Sequence, residues 1–283
     1  MTDDELIDIE IKVLMEGIYQ RYGYDFREYA IMSLRRRLTM WLSGSGFTTL
    51  SLAQSQLLRD PVLFDTLLRG ITVNVTEMFR DPSFFKDIRG QIVPHLKTYP
   101  FVKIWHAGCA TGEEAYSMAI LLQEEGLAGR FRIYATDINE EVIHRAQEGI
   151  YPLQELQQFT KNYQQAGGKG YFSDYYTAHY NHAILDYTLR DSIVFAAHNL
   201  AIDADFGEMH LILCRNVMIY FKQPLKERVL ELIDSSLISG GFLCLGAKES
   251  LALSHISDRY SEIKPKSAIY QKRYITKKCT AII

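Results

Sequence analysis

Through the first seventy positions, apolar residues recur at the 3.6-residue spacing of amphipathic helices. Ile7, Ile11, Leu14 and Ile18 form one row, and Ile31, Leu34, Leu38 and Trp41 form a second after the turn at Tyr22-Gly23. A third predicted helix opens at Asp60-Pro61, a capping residue followed by proline at the first helical position, carries Leu63, Leu67 and Leu68, and is expected to stop at Gly70. No strand pattern interrupts these rows, so residues 1–72 read as an all-α N-terminal domain. Residues 73–99 read as an interdomain linker and a helix started by Asp81-Pro82 that carries Phe84, Phe85 and Ile88.

Beyond residue 100 the grammar changes. Short apolar runs at 101–107, 131–136, 192–197, 209–214, 241–247 and 268–274 alternate with helical stretches at 113–123, 140–147 and 224–237. Alternation of this kind predicts βαβ units and an α/β fold: a Rossmann-like, doubly wound, mostly parallel sheet over residues 100–283. Residues 151–191 break the rhythm with Tyr, Gln and Gly, and two β-leaning runs, 171–180 and 183–189, predict a small inserted antiparallel β-subdomain at about 155–191.

Composition excludes more than it assigns. Of 283 residues, 47% are hydrophobic and 23% charged, which is globular and neither disordered nor collagen-like. The 4 cysteines, Cys109, Cys214, Cys244 and Cys279, show no C-x-x-C spacing and suit a reducing cytoplasm. The acidic start MTDDELIDIE is not a secretory signal, and no apolar run approaches the length that spans a bilayer, so membrane insertion is not expected. A net charge of −3 with dispersed Lys and Arg argues against nucleic acid as a partner.

In a doubly wound sheet the ligand sits beyond the carboxyl ends of the strands. The first such turn is His106-Ala107-Gly108-Cys109-Ala110-Thr111-Gly112-Glu113-Glu114, whose small residues allow close backbone approach. A helix that begins with two carboxylates would repel the phosphates of a dinucleotide. The same two acids also complement the helix dipole without any ligand, and both readings stand. An adenosine-bearing ligand without phosphate and with a cationic amino-acid end, S-adenosylmethionine, suits the loop better. Asp137, at the end of the next strand, stands where a ribose diol wants a carboxylate; it would equally cap the following helix with Asn139. Together these features favour a methyltransferase over a dehydrogenase.

Four segments carry a resemblance. Asn74-Val75-Thr76-Glu77-Met78-Phe79-Arg80, Gly108-Cys109-Ala110-Thr111-Gly112-Glu113-Glu114-Ala115-Tyr116-Ser117, Ala135-Thr136-Asp137-Ile138 and Cys214-Arg215-Asn216-Val217-Met218-Ile219-Tyr220-Phe221 resemble, in order and spacing, the CheR family of chemotaxis-receptor methyltransferases. The resemblance runs from about residue 10 to 274. It implies a helical domain, a methyltransferase domain and an inserted β-subdomain. It also implies methyl transfer from S-adenosylmethionine to glutamates on chemoreceptor cytoplasmic helices, giving methyl esters and S-adenosylhomocysteine, with no metal. By motif register, Asn74, Thr76 and Arg80 would close over the cofactor and Gly108 would belong to its loop. Glu114 would hold the amino group, Asp137 the ribose, and Asn199, Leu200, Asn216 and Val217 the adenine and methionine ends. Arg80 and Tyr220 would stand at the mouth as catalytic residues. The alternatives are a related carboxyl methyltransferase acting on another signalling protein, and a non-catalytic module that senses the cofactor.

A glutamate acceptor is ionised at neutral pH, so the reaction needs alignment and removal of water rather than a strong base. Arg35, Arg36 and Arg37, with Arg27 nearby, would give the second helix a basic face for an acidic receptor helix; a charge run is equally a solvated face. Relatives that tether a receptor peptide carry glycines in the β-subdomain hairpin. The stretch 174–181 has none, which favours a peptide-independent enzyme. His179 and His182 lack an acid or cysteine to complete a metal site, and Cys109 reads as a packing residue.

Overall fold

A computed structural model describes residues 2–72 and 76–274. Four helices come first: α1 (Asp3–Tyr22), α2 (Ile31–Ser45), α3 (Leu50–Leu57) and α4 (Pro61–Ile71). Each starts where local chemistry allows. Thr2 and Glu5 form a reciprocal capping box on α1, Thr49 caps α3, and Asp60, just before Pro61, accepts from the backbone amides of Val62 and Leu63 in α4. Ile11, Leu14, Ile18, Leu34, Leu38, Leu57 and Leu67 point inward to a core of their own. Helix α3 was not foreseen, because its eight residues, about two turns, are too few to show a period. Gly70 does not stop α4. It lies inside the helix, where an added Cβ would sit 3.3 Å from Trp41, so it serves the close approach of α2 and α4.

The following segment runs α5 (Pro82–Asp87), a π-helical turn (Ile88–Ile92) and α6 (Val93–Leu96). The sheet is then laid down by β1 (Val102–Ala107), α7 (Glu113–Glu124), β2 (Phe131–Asp137) and α8 (Glu140–Glu148). The insertion comprises β3 (Ile150–Pro152), α9 (Leu156–Gln165), β4 (Tyr176–His179), β5 (His182–Leu185) and α10 (Tyr187–Asp191). The chain returns through β6 (Ile193–Ala197), β7 (Met209–Cys214), α11 (Gln223–Ser236), β8 (Leu237–Leu245), β9 (Tyr260–Glu262) and β10 (Ile269–Lys272). The main sheet has the order β6-β2-β1-β7-β8-β10-β9, with β10 antiparallel to both of its neighbours, β8 and β9, and the other pairs parallel.

The inserted sheet is antiparallel, as expected, with the order β3-β5-β4. Its composition differs from the sequence reading. Of the run 171–180 only Tyr176–His179 is strand, since Phe172–Tyr175 winds into a 3-10 turn, and Asp186 caps α10 and ends the second run at Leu185. Helix α9 buries Leu156, Phe159 and Tyr163, so the tyrosine-rich stretch is partly a packing helix.

Both faces of the sheet are covered, which is why β1 reads as a nearly unbroken apolar run. One side packs Ile104, Ile133 and Leu213 under α7; the other packs Trp105, Ile212 and Leu243 under Val229 and Ile233 of α11. The helical bundle is stitched to the sheet by backbone. Tyr29 and Phe221 form an isolated β-bridge, the Ala30 amide donates to Tyr220 O at 2.8 Å, and the Lys222 amide donates to Glu28 O at 2.8 Å.

Candidate functional site

The strand order places the topological switch between β1 and β7, where ligands of open α/β sheets bind. A cavity of about 410 Å³ lies there, roofed by α2 and the 220 loop. That volume is in the range of small-molecule sites. Thr76, Arg80, Gly108, Glu114, Asp137, Asn199, Leu200, Asn216, Val217 and Tyr220 all line it. Asn74 lies outside the described residues.

The floor is strained backbone. Gly108 has φ +79, and a Cβ there would stand 2.4 Å from Val217, so conformation and space both demand glycine. Ala110 (φ 48), Asn216 (φ 62), Phe79 (φ 53) and Asp81 (φ 58) also adopt the left-handed region, a cluster of unfavourable backbone around one cavity. Hydrogen bonds hold it: Ala110 N–H donates to Asp137 Oδ2 at 2.9 Å and Asn139 N–H to Oδ1 at 3.1 Å. Asp137 therefore organises the first turn while facing the cavity, and burial raises its pKa against these donors.

The two acids at the start of α7 have opposite fates. Glu113 is 4% exposed, accepts from the Thr111 hydroxyl at 2.8 Å, and is pushed up to about 7 by burial. Glu114 is also desolvated, but Arg215 and His106 outweigh that and bring it down to about 2. Arg215 donates through Nη1 to Glu114 at 2.6 Å and through Nη2 to Asp81 at 2.7 Å, with its guanidinium over the Phe84 ring. His106 Nδ1 lies 3.3 Å from the other oxygen of Glu114. A carboxylate that is ionised at neutral pH thus faces the cavity.

The arginine run is divided. Successive helical residues are turned by about 100°, so three in a row cannot share a face. Arg36 is exposed, while Arg35 is paired with Asp4 and Asp8 of α1. Arg37 is 7% exposed, donates through Nη1 to Ile71 O at the end of α4, lies over the Tyr220 ring at 4.2 Å and lines the cavity. The expectation that all three form one docking face is corrected: Arg36 alone presents its charge freely at the surface, and Arg37 belongs to the cavity.

Sequence reasoning missed Glu249, whose buried carboxylate accepts from the amides of Asn216, Ile219 and Gly246 at 2.8, 3.2 and 2.7 Å and so holds the 216–220 loop. A lone acid after a strand carries no signal. The role of Arg215 had one, an arginine at the end of an otherwise apolar strand, which calls for a buried acid. Cys109 is buried with its thiol pushed up by desolvation, consistent with packing. Among the described residues no group of His, Cys, Asp and Glu could hold a metal ion.

The model of the "CheR methyltransferase, SAM binding domain" matches residues 74–269, and that of the "CheR methyltransferase, all-alpha domain" matches residues 9–72. The chain belongs to the CheR methyltransferase family. It is 48% identical to a Pseudomonas putida protein named "Putative methyltransferase Cher3", over 96% of this chain and 100% of that one. It is 30% identical to chemotaxis protein methyltransferase 2 of Pseudomonas aeruginosa, over 87% of this chain and 89% of that one. With the chemotaxis protein methyltransferase of Escherichia coli it shares 29% identity over 90% of this chain and 88% of the relative.

The cavity of this CheR family member fits S-adenosylmethionine chemically. Ionised Glu114 suits an ammonium group, Asp137 suits a diol, and Gly108 lets the backbone come close. His198 Nδ1 and Arg37 Nη2 are buried without a hydrogen-bond partner, and both residues line the cavity, so polar groups of a ligand have places to bond.

Proposed function

We propose that the protein methylates glutamate side chains on the cytoplasmic helices of chemoreceptors, in the cytoplasm, forming methyl esters. The observation that carries this reading is an anionic Glu114 beside a glycine-floored cavity at the switch point, in a chain of the CheR family. S-adenosylmethionine, when bound, supplies an electrophilic methyl group. Thr76 and Arg80 would close one side, Asn74 with them. Asp137 would take the ribose, and Asn199, Leu200, Asn216 and Val217 the flanks. Residues 1–72 would serve as the docking domain, 73–99 as linker and 100–283 as the methyltransferase domain, with its β-subdomain at about 155–191.

The chain's own residues meet the needs of the reaction. A glutamate nucleophile arrives ionised, so Arg80 and Tyr220 act by orienting it and excluding water rather than by removing a proton. Arg36 lies on the solvent face of α2, where an acidic helix would be steered toward the cavity. The test is radiolabelled methyl transfer into membranes carrying candidate receptors, followed by base treatment. Volatile methanol is expected; label that resists base, or no label in any receptor, would overturn the reading.

A further inference from the structure

Arg37 is a buried arginine at the cavity that, among the described residues, has no carboxylate partner. It sits on the inward side of α2 with Leu34 and Leu38, 7% exposed. Two contacts fix its guanidinium. Nη1 donates to Ile71 O, an open carbonyl at the C-terminal end of α4, and the plane lies over Tyr220. Those contacts, with the polar attraction of the Tyr220 side chain, occupy one nitrogen and one face. Nη2 is buried with no hydrogen-bond partner, and among the described residues no carboxylate is ion-paired with Arg37.

A helix-capping role does not account for this arrangement, because a lysine ammonium would satisfy Ile71 O equally well. What arginine adds is a second, rigidly aimed N–H₂ group, the half of the fork left open here. An unpaired guanidinium nitrogen inside a protein is costly, and the acceptor that offsets it best is an anionic oxygen, through a short charge-assisted bond. Arg215, the other buried cation of the site, has both Nη groups taken by Glu114 and Asp81 and only its inner Nε open, so it has no outward N–H₂ to offer.

We propose that Arg37 is a carboxylate-binding residue of the cavity, and that the carboxylate it selects is the acceptor side chain. This rests on the methyltransferase reading above. The contact with Tyr220 puts the open nitrogen beside the residue assigned to the acceptor's mouth, and exposed Arg36, next in the helix, continues the positive charge to the surface. The specificity follows: a cation at this point welcomes a carboxylate and repels a protonated amine, which makes the site an ester-forming one. The methionine carboxylate of the cofactor is a second source of the same chemistry, and the experiment separates the two.

The probe is glutarate, a soluble mimic of a glutamate side chain, titrated calorimetrically into the full-length protein saturated with S-adenosylhomocysteine. Arg37→Lys keeps a donor for Ile71 O and so guards the fold; Arg37→Met removes the charge. Both variants are expected to bind glutarate at least about tenfold more weakly than wild type, with affinity for S-adenosylhomocysteine changed less than about threefold. Weaker S-adenosylhomocysteine binding with unchanged glutarate binding would overturn the acceptor assignment and give Arg37 to the methionine carboxylate. Unchanged affinity for both, in a folded Arg37→Lys protein, would overturn the inference altogether. If wild type fails to bind S-adenosylhomocysteine, the functional reading falls, and glutarate binding to unliganded wild type against Arg37→Lys still decides whether Arg37 holds a carboxylate.

Discussion

Replacing Arg215 by methionine tests the electrostatic logic of the site. The side chain is 3% exposed and joins Glu114, itself 18% exposed, to Asp81, which is 51% exposed. The half-exposed Asp81 contact is screened and contributes at most about 1 kcal/mol. The Glu114 contact is another matter. The fall of its pKa from 4.5 to about 2 corresponds to about 3 kcal/mol of stability at neutral pH, similar to the cost of orphaning one member of a buried pair. In wild type this contribution is present above pH 4.5 and fades as pH falls toward 2. In Arg215→Met the carboxylate keeps its burial and loses its chief cation, so its pKa rises. The variant then becomes less stable as pH increases, the opposite dependence. Urea unfolding at pH 7 should show a loss of about 3 kcal/mol, shrinking toward pH 4, and the double variant Arg215→Met/Glu114→Gln should recover most of it because no charge is left buried. A double variant no more stable than the single one, or a gap independent of pH, would refute the account.

Three further outcomes follow from the same geometry. Gly108→Ala combines a left-handed backbone with a Cβ 2.4 Å from Val217 and should lose about 2–4 kcal/mol in denaturant melts, with cofactor affinity falling in calorimetry; a neutral substitution would mean that the loop relaxes freely. Glu113 has a folded pKa raised to about 7, so wild type loses stability as pH rises from 4.5 through 7; Glu113→Gln should therefore gain up to about 3 kcal/mol at pH 8 and nothing at pH 4, read from melts at both values. Arg80→Ala should abolish methyl transfer in the radiolabel assay while circular dichroism remains that of wild type, and wild-type turnover would remove Arg80 from the mechanism.

Much of the fold was legible because period is a local property. The rows in α1 and α2 and the alternation that yields β1, α7 and β2 depend on neighbours within a few positions, and they appear where expected. What escaped depended on partners far along the chain. The Phe172–Tyr175 turn has strand-like residues but packs on Tyr163 of α9, and Gly70 looks like a helix terminator until Trp41 is placed against it. In the site, the motifs brought the right residues to one cavity, yet charge along the sequence carries no azimuth and no depth. Hence Arg35, Arg36 and Arg37 looked alike and ended in an ion pair, in solvent and in the cavity. Glu113 and Glu114 looked alike too, and the distant Arg215, with His106, separates them.

The backbone stitching between the bundle and the 220 loop bears on how the molecule comes apart. Tyr29, Ala30 and Glu28 bond to Phe221, Tyr220 and Lys222, so the loop that carries Tyr220 is shared property of two cores. Melting the bundle strips that loop of its bonds to Glu28 and Ala30 and uncovers the Tyr29–Phe221 ring contact, and melting the sheet removes the surface against which α2 docks. Neither half keeps its structure cheaply without the other. Heating should therefore give one cooperative calorimetric transition instead of two, and the loop that carries Tyr220 should vanish with the first core that fails.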